Sequence, residues 1–166
     1  MPHVLGGGSL GTLFAANGPP ATTLLLRHGS AALRSGRLLL RVHRGWTAEG
    51  HESQVAVEPS TGVGPPIDTL VIATKAFGAS SALDGVRQRL TPDATVVLLC
   101  NGALSLADAL SLPDTASLLV ATTTHGAWLH QPRDDGVREV QHAGNGSTWI
   151  GPLRDAESDA ATAAAD

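Results

Sequence analysis

The chain of 166 residues holds a single cysteine and a single lysine, and each scarcity removes a class of explanation. Cys100 alone excludes an internal disulfide, and at the end of the apolar run Val96–Cys100 it is expected to be a small buried hydrophobe rather than a nucleophile. With Lys75 the only lysine and ten arginines scattered along a chain of formal charge -4, there is no clustered basic face to neutralise a nucleic-acid backbone. No apolar run is long enough for a membrane span, and because strand-like sequence begins at His3 no leader is expected. The expected location is the cytoplasm, or mitochondria if residues precede Met1. Partners of nucleic-acid or membrane type are not expected. No internal repeat is visible. Hydrophobic residues at 42% and charged residues at 16% are what one ordinary globular domain needs to build a core.

What the sequence does have is glycine in a meaningful place. The apolar start His3-Val4-Leu5 runs into Gly6-Gly7-Gly8-Ser9-Leu10-Gly11, and small apolar residues follow through Ala16. Strand, Gly-x-Gly-x-x-Gly and helix start are the parts of a dinucleotide-binding turn. Gly6 permits the tight exit from the strand, Gly8 lets backbone approach a diphosphate, and Gly11 lets the helix pack closely on the sheet. The helix N-terminus then offers unpaired N–H groups to phosphate. Among 19 glycines a chance match is easy, so the flanking strand and helix carry the argument.

The second strand, Thr22 to Leu26, ends at Arg27, and no acid occurs before Glu49. A carboxylate there would accept from a free ribose hydroxyl, whereas arginine suits a 2'-phosphate; the expectation is NADP rather than NAD. Beyond it, Ser30 to Arg34 reads as a short helical piece closed by Gly36. Leu38–His43 and Ser53–Glu58 read as an antiparallel pair inserted beside the main sheet. A Pro/Gly loop at 61–66 precedes the buried strand Thr69–Thr74. Helical spacing from Ala79 to Leu90, a strand at 95–100, a helical segment at 105–110 and a strand at 117–122 then complete an alternating α/β order. Val137–Gln141 and Thr148–Ile150 read as a closing antiparallel pair around Gly144-Asn145-Gly146. The predicted fold is α/β, a Rossmann-like doubly wound parallel sheet with a few added antiparallel strands. The Asn17-Gly18-Pro19-Pro20 stretch predicts a short first helix.

Polar residues stand at three successive strand ends, where a doubly wound sheet opens its ligand crevice. These are Lys75, Asn101 before Gly102, and Thr122-Thr123-Thr124-His125. Each has a plainer alternative: a solvated lysine, an Asn-Gly turn, and a histidine held by loop hydrogen bonds rather than a catalytic one.

Together the glycine turn, Arg27, Ala73-Thr74-Lys75-Ala76, Asn101-Gly102, Thr122–Ala127 and Gly144–Pro152 resemble the ketopantoate reductases (2-dehydropantoate 2-reductases), in family order across nearly the whole chain. The resemblance implies NADPH-dependent reduction of 2-dehydropantoate to pantoate in pantothenate and coenzyme A synthesis, with a 2-keto acid as partner once a catalytic domain is supplied. It implies cofactor binding by Gly6, Gly7, Gly8, Ser9, Leu10, Gly11, Arg27, Lys75, Asn101 and Ala127, with Asn101 also touching substrate. The family's proton-donating lysine lies in a separate helical C-terminal domain, so no catalytic residue is expected here, nor a metal. Residues 1–152 are expected to form the NADP-binding domain and 153–166, alanine-rich, to begin a truncated helix leading to that missing domain. Two other readings stay open: a non-catalytic NADP-binding remnant or regulatory module, and a related NADP-dependent 2-keto or 3-hydroxy acid dehydrogenase.

Overall fold

A computed structural model describes residues 1–45, 47, 49–102, 110–131 and 136–152. The elements are β1 (Pro2–Leu5), α1 (Ser9–Ala16), β2 (Thr23–Leu26), a 3-10 turn (Ala31–Arg34), β3 (Arg37–Arg44), β4 (Gly50–Pro59), β5 (Ile67–Ile72), α2 (Ala76–Val86), β6 (Leu90–Leu98), β7 (Ser117–Thr123), β8 (Gly126–Leu129), β9 (Val137–Gly144) and β10 (Thr148–Pro152). Among the described residues the strands form one sheet in the order β10-β7-β6-β5-β1-β2-β4-β3-β9-β8. From β7 across to β4 every neighbouring pair is parallel.

Alternation along the central strands explains why a helix lies on each face. Val4, Leu24 and Leu26 point one way and pack with Leu13, Ala15 and Ala16 of α1. Leu5, Leu25, Leu70 and Ile72 point the other way and pack with Ala79, Leu83 and Val86 of α2. Strands buried on both faces read as near-continuous apolar runs, which is what Thr23–Leu26, buried at every position, displays. Both helices are short. α1 stops at Asn17, whose side-chain amide donates to the Leu13 carbonyl at 2.8 Å, before Gly18 and two prolines.

Three expectations need correction. Helix α2 ends at Val86, and Leu90, expected to close it, opens β6 instead; its side chain packs the same core from a strand. The pair β3 and β4 is antiparallel as expected but is integral to the sheet, because β4 lies parallel against β2. The segments 137–141 and 148–150 do not pair with each other. β9 pairs antiparallel with β8 and parallel with β3, while β10 pairs antiparallel with β7 at the far end of the strand order. The physical reason is that Gly146 serves as a crossing point and not as a hairpin tip. A Cβ there would collide with the backbone of Thr124 and His125. The segments β7–β8 and β9–β10 form one long bent ribbon, held at the bend by Thr124 N–H to the Ser147 carbonyl and Ser147 N–H to the Thr124 hydroxyl, both 3.0 Å. Its β8–β9 half lies against α1. The helical segment predicted at 105–110 and the helix predicted from residue 155 lie outside the described residues, apart from Leu110.

Where the loop after β4 returns to β5, the buried guanidinium of Arg89 donates to the Pro65 carbonyl at 3.0 Å and to the Glu58 carboxylate. Removing the acid would strand a desolvated cation. Glu58→Ala is expected to cost about 3 kcal/mol, read as a fall in melting temperature of roughly 8 °C, whereas Asp68→Ala at the exposed N-terminal ion pair costs under about 1 kcal/mol.

Candidate functional site

The strand order reverses at β1, with β2 on one side and β5 on the other, and a ligand crevice is expected at such a switch point beyond the carboxyl ends of the strands. A cleft of about 1380 Å³ opens there. Its wall is drawn from the ends of β1, β2, β5, β6 and β7 and the first turns of both helices.

Gly6 and Gly11 meet the steric demands expected of them. Gly6 holds φ +125°, and a Cβ there would lie 2.9 Å from the Ala73 carbonyl carbon and oxygen. Gly11 lies below the cleft floor, where a Cβ would collide with the Gly6 carbonyl oxygen. Gly8 is different: its Cβ would point into open space. Gly8 is also the N-cap of α1, with no side-chain hydrogen bond to the cap and no acid in the first turn. The free N–H groups and the positive end of the helix therefore meet the cleft unneutralised, the arrangement that binds a diphosphate.

Charge in the wall is one-sided. Arg27, Lys75 and Arg138 line the cleft, and among the described residues no aspartate or glutamate does, on a chain whose net charge is negative. Lys75 is the N-cap of α2, and its extended backbone turns the chain from β5 into that helix at the rim. Ser9, Leu10 and Asn101 line the cleft, as do Gly6, Gly7 and Gly8. The Thr74 hydroxyl, also in the wall, is buried without a hydrogen-bond partner among the described residues, so a polar ligand atom is the natural claimant. Cys100, expected to be a small buried hydrophobe, is instead half-buried in the cleft wall, where burial raises its thiol pKa above the ordinary value.

The sheet brings together all but two of the expected binding residues. Gly11 supports the turn from beneath. Ala127 lies in β8, packed into the apolar cluster over α1, and does not line the cleft. Beyond the end of β7, the ribbon contributes two further residues to the wall. His125, weighed in the sequence as catalytic or merely positioned, is in the wall; its Nδ1 accepts from the Gly146 N–H at 3.2 Å and sits 2.9 Å from His142 Nε2. In a neutral ring this leaves the proton on Nε2. Burial, then the neighbouring His125, holds His142 below the usual imidazole range. Arg138 was not foreseen. Its Nη1 donates over a long 3.5 Å to the Gly7 carbonyl, and burial lowers its pKa from the ordinary guanidinium value. The signal for it was alternation in Arg138-Glu139-Val140-Gln141-His142, but Glu139 and Gln141 are buried as well, so the pattern did not say which face was which.

A family model described as ketopantoate reductase PanE/ApbA matches residues 3–155. The chain belongs to the ketopantoate reductase family. A 2-dehydropantoate 2-reductase of Halobacterium salinarum is 36% identical over 157 residues, covering 92% of this chain and 49% of that protein. Among solved structures, a probable 2-dehydropantoate 2-reductase from Bacillus subtilis superposes with a TM-score of 0.72 at 22% identity, over 95% of this chain and 51% of that one. A D-mandelate dehydrogenase with NADH and anilino(oxo)acetate gives the same TM-score at 19% identity, over 96% and 51%. The chain thus spans about half the length of these relatives, and the half it spans is the Rossmann-like one.

The different surroundings of two glycines have separable consequences. Gly8→Val is expected to leave the melting temperature within about 2 °C, since its side chain enters the cleft, while Gly11→Ala lowers it by roughly 5 °C or more by forcing α1 off the Gly6 carbonyl. Thermal unfolding of the two variants beside the parent checks this.

Proposed function

We propose that this chain is the NADP-binding half of a 2-dehydropantoate 2-reductase. The observation that carries the reading is the one-signed wall: an uncapped α1 N-terminus, Arg27 at the end of β2, Lys75 at the rim and no carboxylate among the described lining residues. Gly6 to Leu10 would hold the diphosphate through backbone N–H groups, and Arg27 the 2'-phosphate in place of the acid that would accept from a free ribose hydroxyl. The residues present fit the group: Gly8 leaves space where phosphates would approach, and the Thr74 hydroxyl is unclaimed. When bound, the nicotinamide supplies a hydride for a ketone carbon. The chain's own part is to orient the cofactor at the carboxyl ends of β5 and β6, where Asn101 stands within reach of both cofactor and 2-keto acid.

The family relationship supports 2-dehydropantoate as substrate and pantoate as product. The proton in that reaction is assigned to a lysine beyond the Rossmann half, since Lys75 belongs to the cofactor rim. Turnover therefore requires the helical half. The cytoplasm is the proposed location; no helix among the described residues is long and apolar enough to cross a membrane.

Titration with NADPH and NADH, followed by nicotinamide fluorescence, tests the reading. The chain is expected to prefer NADPH, and Arg27→Ala to weaken NADPH about tenfold or more with NADH changed less than about twofold, a charge-assisted hydrogen bond being worth about 1.5 to 3 kcal/mol. Gly8→Val is expected to abolish binding of both nucleotides without unfolding the chain. Equal affinity for the two nucleotides, insensitive to Arg27, would sink the NADP assignment.

A further inference from the structure

Arg138 is an arginine whose position has not been accounted for by the fold or by the glycine turn. Register places it opposite Leu40 of β3, on the face that β9 turns to α1, as Val140 two residues on packs into the α1 cluster. Its guanidinium reaches to the glycine turn: the point where a Gly7 Cβ would stand lies 2.9 Å from Arg138 Nη1 and 2.7 Å from Leu26 Cδ2. Leu26 is the last residue of β2, and Arg27 follows it.

Among the described residues the exposed arginines Arg27, Arg34, Arg37 and Arg44 have no carboxylate partner, but the other arginines that are at least partly buried do: Arg41 has Glu52 and Glu139, Arg87 has Asp84, and Arg89 has Glu58. Arg138 has no carboxylate among the described residues, and its sole hydrogen bond there is the long one to the Gly7 carbonyl. A partly desolvated guanidinium with most of its donors unspent costs stability unless an anion completes it. Its planar fork suits a phosphate, and no acid among the described residues lines the cleft to compete.

We infer that Arg138 is a second ligand of the cofactor's 2'-phosphate, supplied by β9 from the Gly7 side while Arg27 approaches from the end of β2. The assignment to this phosphate, and not to the diphosphate, follows from the side of the turn it occupies. The diphosphate belongs over Gly8 and the first N–H groups of α1, where the floor is open; Arg138 stands on the flank of Gly7 shared with Leu26, where the ribose reader sits. By drawing on the Gly7 carbonyl it also keeps that acceptor from facing a phosphate oxygen. The inference rests on the NADP reading above.

The test uses the full chain with NADPH and NADH, and with 2'-AMP and 5'-AMP as competitors. Arg138→Met keeps the aliphatic stem and removes the charge. It is expected to weaken NADPH and 2'-AMP by about tenfold or more while NADH and 5'-AMP change less than about twofold, as removal of one charged hydrogen-bond donor from a single phosphate predicts. Its melting temperature should hold or rise, because an unpaired desolvated cation is gone. Arg138→Lys is expected to recover part of the NADPH preference, and Arg138→Gln supplies the neutral variant if the methionine does not fold. Equal weakening of NADPH and NADH would overturn the inference in favour of a pin on the glycine turn or a diphosphate ligand, and unchanged binding would overturn it outright. If Arg27→Ala loses NADPH preference while Arg138→Met does not, this inference alone falls. If the parent chain shows no such preference, the NADP reading falls and takes it along.

Discussion

The contact on which the molecule depends is the approach of α1 to the end of β1, backbone against backbone, at Gly11 and Gly6. Nothing larger than hydrogen fits between the Gly11 Cα and the Gly6 carbonyl, with Ala73 of the neighbouring strand end closing the other side. That proximity seats Leu13, Ala15 and Ala16 on the sheet and turns the positive end of the helix toward the strand ends. It also obliges the next connection to be tight, since α1 lasts for eight residues before Asn17 and Gly18 end it. The cleft is what remains open above this contact.

Electrostatics then give the cleft its character. The chain carries more acid than base, yet none of the carboxylates among the described residues lines the cleft, and several are paired elsewhere: Glu52 and Glu139 with Arg41, Asp84 with Arg87, Glu58 with Arg89, Asp68 with the N-terminus. With those pairs formed, the wall keeps Arg27, Lys75 and Arg138 opposite a helix N-terminus. In a partly desolvated crevice such charges act with less screening than on an open surface. A net charge of -4 therefore says little about what the cleft attracts.

The ribbon β7–β10 is the feature that most changes the site from its expected form. It carries one strand pair to β6 and the other to β3, bending at His125 and Gly146. Its β8–β9 half covers α1, so that Ala127 is committed to packing while Arg138 and His125 reach the cleft wall. His125 is held there by Gly146 and His142, with Phe14 of α1 edge-on to its ring at 6.3 Å. The ribbon thus joins the glycine turn, α1 and the end of β7 in one packed unit.

Much of this was determined by local sequence alone. The run from His3 to Ala16 specifies strand, turn and helix because each glycine answers a local steric demand, and the double-faced apolar strands around Leu24 and Leu70 specify a parallel sheet by burial on both sides. Arg27, Lys75 and Asn101 were legible because each ends or follows such a strand, and strand ends converge in this architecture. The tertiary structure alone decided strand partnership in the ribbon, because Gly144-Asn145-Gly146 satisfies a hairpin tip as well as a crossing, and the choice depends on the Thr124–His125 backbone that faces Gly146. It alone decided which side of β9 meets α1, since residues on both sides are buried and a pleat carries no sign of its neighbours. Whether Arg138 faces a carboxylate or the glycine turn is a question of register between strands about a hundred residues apart, and no local pattern encodes that.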